Sequence, residues 1–313
     1  MKTKLFTLIL SFVALTTVNA QQISVVSPSN QTTLYTDLNE AITNAAAGST
    51  LYLSGGGFQV STNISKKLSI IGVGHRAVND NADGNTVISG NLTFESGSDN
   101  SVVTGVYLSG NINITSVNNM LIRYCNVDNI NISGDCLNVS INQNYVRNDI
   151  NGGGGAHNIT NNIASIIHNI DGGIIDHNVI VHSLGKYLFI GSTYTINSQI
   201  TNNIILNASY SPSGTISNNI YKVELGENSI VVTDFNEIFE GPNNGVSTTS
   251  NFKLKGSKGK NAGTDGTDIG IYGGTTGFKD SALPPGPRIA KKEVSEETDG
   301  SGNLRVKLKV VAE

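Results

Sequence analysis

Four of the five histidines fall close together, at His157, His168, His177 and His182, with Asp171 and Asp176 among them and Arg147 and Asp149 shortly before. Imidazoles beside carboxylates can divide general acid and base roles, or hold a metal ion between them. Arg147, His168, Asp171 and His177 are therefore the candidate catalytic groups. Adjacent residues on a strand face opposite sides, so Asp176 and His177 can serve one site only where a corner begins between them. As isolated polar groups on a hydrated surface, the same side chains would do no chemistry. Downstream, Ser183–Tyr187 and Gly191–Tyr194 bring in Lys186, Tyr187 and Tyr194. Tyrosines can stack on and hydrogen-bond a sugar, which makes His182, Lys186, Tyr187 and Tyr194 the candidate ligand-binding set. Asp265 and Asp268 lie in a Gly-rich turn of a kind that can hold calcium, although Asp in such turns also bonds its own backbone. No metal-ligand set and no other cofactor is indicated.

A repeat must position these groups. Ile141-Asn-Gln-Asn144-Tyr145, Ile159-Thr-Asn-Asn162-Ile163, Ile175-Asp-His-Asn178-Val179, Ile200-Thr-Asn-Asn203-Ile204 and Ile216-Ser-Asn-Asn219-Ile220 share one phrase, and Ile122-Arg-Tyr-Cys-Asn126-Val127 is a looser copy with one extra residue. The recurring asparagines lie 18, 18, 16, 25 and 16 residues apart, the length of one coil of a β-solenoid. Corners favour residues that tolerate the left-handed region, and Asn is frequent there. Stacked corner asparagines can bond one another along the tube, while the isoleucines three residues before them fill its interior. The 25-residue spacing points to an inserted loop among residues 183–194, and Gly152–Gly155 to a wide turn. Insertions on solenoids often mark the binding face.

Residues 1–20 read as a secretory signal peptide: Lys2 and Lys4, an apolar core from Leu5 to Val18, and the small-residue site Val18-Asn-Ala20. No later stretch reaches the length of a membrane span. With 20 basic and 24 acidic residues and no basic run in the body, nucleic acid is excluded as a partner. The expected product is secreted, periplasmic or on the cell surface, and monomeric. Residues 21–281 form the solenoid domain, with a capping helix at 37–47 that Asp37 and Glu40 start and Gly48 stops. Strands follow at Thr50–Leu53, Leu68–Ile71 and Thr86–Ile88. Residues 282–313 comprise the Pro-rich linker Leu283–Pro287 and a β-hairpin whose strands, Glu293–Thr298 and Leu304–Val311, flank Asp299–Asn303. Its apolar face, Val306, Leu308 and Val310, is expected to pack on the last coil. Cys125 and Cys136 are too far around a coil to pair.

Leu38-Asn-Glu-Ala-Ile42, Ala47-Gly-Ser-Thr-Leu51 and Lys67-Leu-Ser-Ile-Ile-Gly-Val-Gly74, followed by Asn-cornered coils, resemble the right-handed parallel β-helix superfamily that includes pectate lyases. Phe252–Ser257, Asn261–Gly263 and Asp265–Gly274 are similar to the closing segment of exported members without an assigned activity. The resemblance covers residues 34–274 and implies an all-β fold, a right-handed parallel β-helix with an N-terminal capping helix and a C-terminal β-hairpin. For function it implies a range, because the superfamily mixes lyases, hydrolases, epimerases and adhesins on one scaffold. Members that act on acidic polysaccharides combine clustered calcium-binding carboxylates with bases. Residues 101–221 offer only Arg123, Arg147 and Lys186 as strong bases, and no lyase motif carries a residue over. The expected function is a non-catalytic binder of polysaccharide or cell-surface glycan. The alternatives are a polysaccharide lyase or glycoside hydrolase, and a structural surface protein.

Overall fold

The computed structural model describes residues 21–76, 84–181, 197–206, 214–224, 226–241, 250–286 and 288–311. The expected signal peptide, and the inserted loop with His182, Lys186, Tyr187 and Tyr194, lie outside the described residues. The chain forms a parallel β-solenoid of about eight turns. On its first face, Ser49–Leu53, Leu68–Ile71, Val102–Thr104, Leu121–Arg123, Ser140–Asn142, Asn158–Thr160, Ile174–Asp176, Ser198–Thr201 and Gly214–Ser217 pair in that order. Their register stacks Leu51, Ile70, Val103, Ile122, Ile141, Ile159, Ile175, Ile200 and Ile216 into one inward column. All but Ile216 are fully buried, and each such side chain contributes about 1.5–3 kcal/mol of apolar burial. The second face runs from Gly56–Gln59 through Tyr107–Ser109 and Asn126–Val127 to Ile230–Val231. The third holds Leu92–Phe94, Ile112–Thr115 and Ile130–Ser133. Two long strands, Tyr145–Gly155 and Ile163–Ile170, run on from the second face into the third.

Ladder asparagines stand at the corner between the first and second faces. Asn144, Asn162, Asn178, Asn203 and Asn219 are all fully buried. Asn162 shows the pattern: its Nδ2 donates to Ile141 O (2.8 Å) in the coil before, to Thr160 O (3.0 Å) and to Asn178 Oδ1 (3.1 Å) in the coil after. Its Oδ1 accepts from the backbone N and the Nδ2 of Asn144 (2.9 and 3.0 Å). The left-handed turn is made one residue earlier than the sequence suggests, by Gln143, Asn161, His177, Asn202 and Asn218, at φ between 53° and 58°. Turning and laddering are incompatible tasks for one residue, because a left-handed residue aims its side chain outward while the ladder needs an amide aimed in. The looser copy also resolves differently. Ile122 pairs with Ile141 and Asn126 with Tyr145, so that coil has no extra residue and Cys125 occupies the ladder position. Its Sγ faces Arg123 O (3.1 Å) and Val103 O (3.8 Å), the equivalents of the two carbonyls that each ladder amide bonds. Cys125 and Cys136 are both free and buried.

The ends are closed differently. Helix α1, Leu38–Asn44, is capped by Asp37 Oδ1 accepting from Glu40 N (2.9 Å) and buries Leu38, Ala41 and Ile42 in the solenoid core. It stops before residue 47 because Ala45 is already extended. Ile23–Val26 pairs antiparallel with Ser49–Leu53 and with Thr32–Tyr35, which covers the first strand edge. At the other end the chain turns back. Residues 232–241 and 250–271 lay Phe235, Phe239, Phe252, Leu254, Ile269 and Ile271 over the outer side of the second face, against Tyr145, Ile163, Val179, Ile204 and Ile220. This second core lies outside the tube. No helix among the described residues is long and apolar enough to cross a membrane.

Two further local expectations are corrected. Gly152–Gly155 is no wide turn but the bulged end of the strand Tyr145–Gly155, with the register shift between Asn151 and Gly155. The hairpin forms, as Arg288–Thr298 against Leu304–Val311, yet its apolar face does not pack on the last coil: Leu304, Val306, Leu308 and Val310 are 50–59% exposed. The linker before it does dock, with Leu283 buried against Gly74 and Pro284 over Gly105. That contact lies near the first coils.

The ladder makes a graded prediction. Asn162→Ala orphans the Asn144 N–H and removes one bond from each of the Ile141 and Thr160 carbonyls, and should cost about 1–3 kcal/mol. Cys125→Asn, placing an amide where the thiol already faces the same carbonyls, should keep or raise stability. Urea midpoints of both variants check this, and an unchanged Asn162→Ala midpoint would contradict the ladder.

Candidate functional site

The turning residues present their side chains outward at one corner, and the returning chain binds those of the late coils, Asn161, His177, Asn202 and Asn218, in succession. Asn218 Nδ2 donates to Ala262 O (2.8 Å), Asn202 exchanges bonds with Thr264 (2.8 and 2.9 Å), and Asn161 Nδ2 donates to Ile271 O and Gly273 O (both 2.9 Å). His177 sits in the same column. It is 2% exposed, its Nδ1 is bonded to Gly270 O (3.2 Å), and its Nε2 lies 3.3 Å from both Asp265 Oδ2 and Asn202 Nδ2. Gly273 must be glycine, since a Cβ there would lie 1.8 Å from Asp268 O and 2.6 Å from the His177 ring. A strap thus runs from residue 262 to 284 back along the corner, from the late coils to Gly105 and Gly74.

This placement separates the sequence candidates. Asp176 and His177 do meet at a corner, 3.8 Å apart, but there His177 anchors the strap while Asp176 Oδ1 accepts from Thr201 Oγ1 (2.6 Å) and Asn202 Nδ2 (2.8 Å) of the next coil. Asp265 Oδ1 accepts from Thr267 N (3.0 Å) and Oγ1 (2.8 Å), and Asp268 Oδ1 accepts from Asn261 N (2.9 Å), so the proposed calcium turn uses these carboxylate oxygens on its own chain. Burial raises the Asp265 carboxyl, but its bonds from Thr267 and the adjacent His177 outweigh that and hold it below the ordinary value. His168, paired with Asn151, is on the third face. Asp171 follows that strand at the next corner, its N–H bonded to Gly155 O (3.1 Å). His157 is buried, bonded to Gly152 O (2.9 Å) and accepting from Val139 N (3.3 Å). Arg147 is on the second face. Arg147, His168, Asp171 and His177 therefore do not converge on one site.

Where the outer core gives out, Arg147 borders a ledge. Its Nε donates to Asp128 Oδ1 (2.6 Å), Nη2 to Leu108 O (2.7 Å) and Nη1 to Asn126 Oδ1, which carries the guanidinium back across two coils. There it lies 4.8 Å from the centroid of the Tyr107 ring and remains 22% exposed. Tyr145, two residues before Arg147, forms one wall of a cavity of about 30 Å³ that is also lined by His75, Arg76, Tyr272, Phe278 and Asp280. The strap supplies the far wall. Tyr272 Oη donates to Asp280 Oδ1 (2.6 Å), Lys253 Nζ lies 3.2 Å from Asp280 Oδ2, and Arg76 Nη1 donates to Asp280 O (3.2 Å). His75 is 6% exposed, and neither ring nitrogen has a hydrogen-bond partner. Burial, then the Arg76 charge, lowers its pKa to about 3, so the ring is neutral. Burial pushes the Tyr145 phenol up to about 12, and burial with the Asp280 carboxylate holds Tyr272 protonated.

The sequence reading missed His75, Arg76, Tyr107, Tyr145, Tyr272 and Asp280. One signal was present. Gly72, where a Cβ would meet Gly105 O at 2.4 Å, is a forced glycine three residues before His75. The partner Asp280 lies 204 residues away, beyond any local pattern. No protein-family model matches this chain, and no curated protein matches it.

His75 yields a pH prediction. Its folded pKa of about 3 is below the ordinary 6.5, so the unfolded chain takes up the proton first and stability falls as pH drops from 6.5 towards 3. At 1.36 kcal/mol per unit, acidification to pH 4.5 should cost up to about 3 kcal/mol through this group. His75→Gln should lose that share of the acid sensitivity and keep the share due to His157 and His168, both also lowered by burial. Urea midpoints at pH 7.5 and 4.5 measure it; an equal acid loss in both proteins would contradict a neutral, enclosed His75.

Proposed function

We propose that this protein is an exported, non-catalytic binder of polysaccharide or cell-surface glycan, with the ledge of Tyr107, Arg147, Tyr145 and the His75 cavity as its contact surface. The observation that carries this reading is the ledge itself: an aromatic ring under a held guanidinium, beside a cavity whose imidazole lacks partners. A sugar hydroxyl can both donate to and accept from a neutral imidazole, and the cavity has the volume of about one water molecule, which suits a hydroxyl and not a whole ring. Tyr rings and guanidinium planes offer the stacking and bidentate bonding on which sugars are held. Coils about 4.8 Å apart space such groups for successive units of an extended chain.

Catalysis by the superfamily's lyases or hydrolases would require a free acid–base pair. Each nitrogen of Arg147 is already bonded, and His177 lies under the strap, which favours retention over cleavage.

Incubating the mature protein with a panel of neutral and acidic polysaccharides tests the proposal. Retention of unaltered polymer is expected, without new ultraviolet-absorbing unsaturated ends or reducing ends. Tyr107→Ala should weaken retention about tenfold, or ~1.4 kcal/mol. Cleavage, or retention of no polymer, would overturn the reading.

A further inference from the structure

The third face carries a pattern that the ledge does not explain. Its strands turn Leu92, Phe94, Ile112, Ile114, Ile130 and Ile132 inward, all essentially buried, so the intervening residues stand outward in straight columns. One column is Asn91, Asn111 and Asn129, the next Thr93, Asn113, Asn131 and Asn151, and the third ends in Thr115 and Ser133. All are half-buried or exposed.

Within the columns the side chains hold one another in fixed orientations. Asn129 Nδ2 donates to Asn111 Oδ1 (2.8 Å), Asn131 Nδ2 to Asn113 Oδ1 (3.1 Å) and Asn169 Nδ2 to Asn151 Oδ1 (2.9 Å), while the Thr115 and Ser133 hydroxyls lie 3.0 Å apart. Each of these bonds uses one N–H of the donor and one lone pair of the acceptor. An amide carries two of each, so the two amide columns retain unspent donors and acceptors aimed at solvent. The result is a grid of oriented polar groups spaced about 4.8 Å along the tube and about 6.7 Å across it.

We infer that this third face is a second binding surface, for an extended, uncharged polysaccharide lying along the solenoid axis. The grid contains no Lys or Arg, its rim carries the carboxylates Glu95, Asp128, Asp135 and Asp149, and the neighbouring Arg147 is already paired to Asp128, which disfavours an acidic polymer. Beyond the half-buried His168 imidazole that follows Asn151 in its column, it contains no aromatic or large apolar anchor of the kind that protein interfaces are built on. A neutral polyhydroxyl chain needs neither: it presents donors and acceptors at regular intervals, and prior ordering of the amides removes much of the entropy cost of meeting them. Because no charge takes part, binding on this face is insensitive to salt, unlike contact with an Arg147 left partly in water.

The test uses the mature protein with cellulose, chitin and xylan as neutral polymers and polygalacturonate and alginate as acidic ones, each at low and high salt. Thr115→Lys/Ser133→Lys raises two long side chains from the flat face and leaves the amide columns intact; Thr93→Lys does the same one coil earlier, should the double variant melt early. The expected result is retention on at least one neutral polymer, unchanged by salt, kept by Tyr107→Ala and reduced at least tenfold in the lysine variants. Retention unaffected by the lysine variants, or confined to acidic polymers, would overturn the inference. Loss in Tyr107→Ala alone would overturn it while leaving the ledge as the glycan site, and retention of nothing would sink both.

Discussion

Everything in this molecule depends on the buried asparagine ladder. A solenoid corner forces the backbone to turn sharply inside a dry interior, where each unpaired carbonyl or N–H costs about 1–3 kcal/mol. The ladder amide removes that cost at two levels, bonding carbonyls of its own coil and of the coil before while its oxygen receives the preceding backbone N–H. Since each Asn serves three coils, none can be withdrawn without exposing its neighbours. The ladder therefore fixes register as well as stability, because a one-residue slip would put isoleucines where the amides must meet.

Fixing the ladder also decides what lies outside it. The residue before each ladder amide is driven into the left-handed conformation, and its side chain must leave the tube. The late coils put Asn161, His177, Asn202 and Asn218 there, and the strap carries carbonyls and hydroxyls to meet them. The earlier turning residues are Gly105, Tyr124 and Gln143. At that end Pro284 packs over Gly105 and Leu283 over Gly74. The coil that begins at Ile175 places a histidine at the turning position, which is why an imidazole flanked by carboxylates there anchors a strap.

The surfaces left open follow from where the strap and the outer core stop. Apolar residues on the outer second face, from Tyr145 to Ile220, demand a cover and receive one; before Tyr145 the same columns turn polar with Tyr107, Asn126 and Asp128, and the cover is not needed. Arg147 stands at that boundary, its charge stabilised by Asp128 and its plane turned over Tyr107. On the third face the outward residues are polar across four coils, and among the described residues nothing packs over them.

The sequence by itself determined the solenoid, its coil length and its isoleucine and asparagine columns, because these are periodic and every coil repeats the same local demand. It also determined the capping helix and the hairpin, whose cap, stripe and turn residues are contiguous. It misassigned the turning position by one residue and read an extra residue before Asn126, since Asn at both corner positions hides which of the two makes the turn, and Cys125 in the ladder only shows itself once Ile122 is seen to pair with Ile141. The strap, the second core and the ledge were decided by the tertiary structure alone. His75 meets Tyr145 and Asp280, and Tyr107 meets Arg147, through stacking of coils and the return of the chain, contacts between residues tens to hundreds of positions apart that no local propensity encodes.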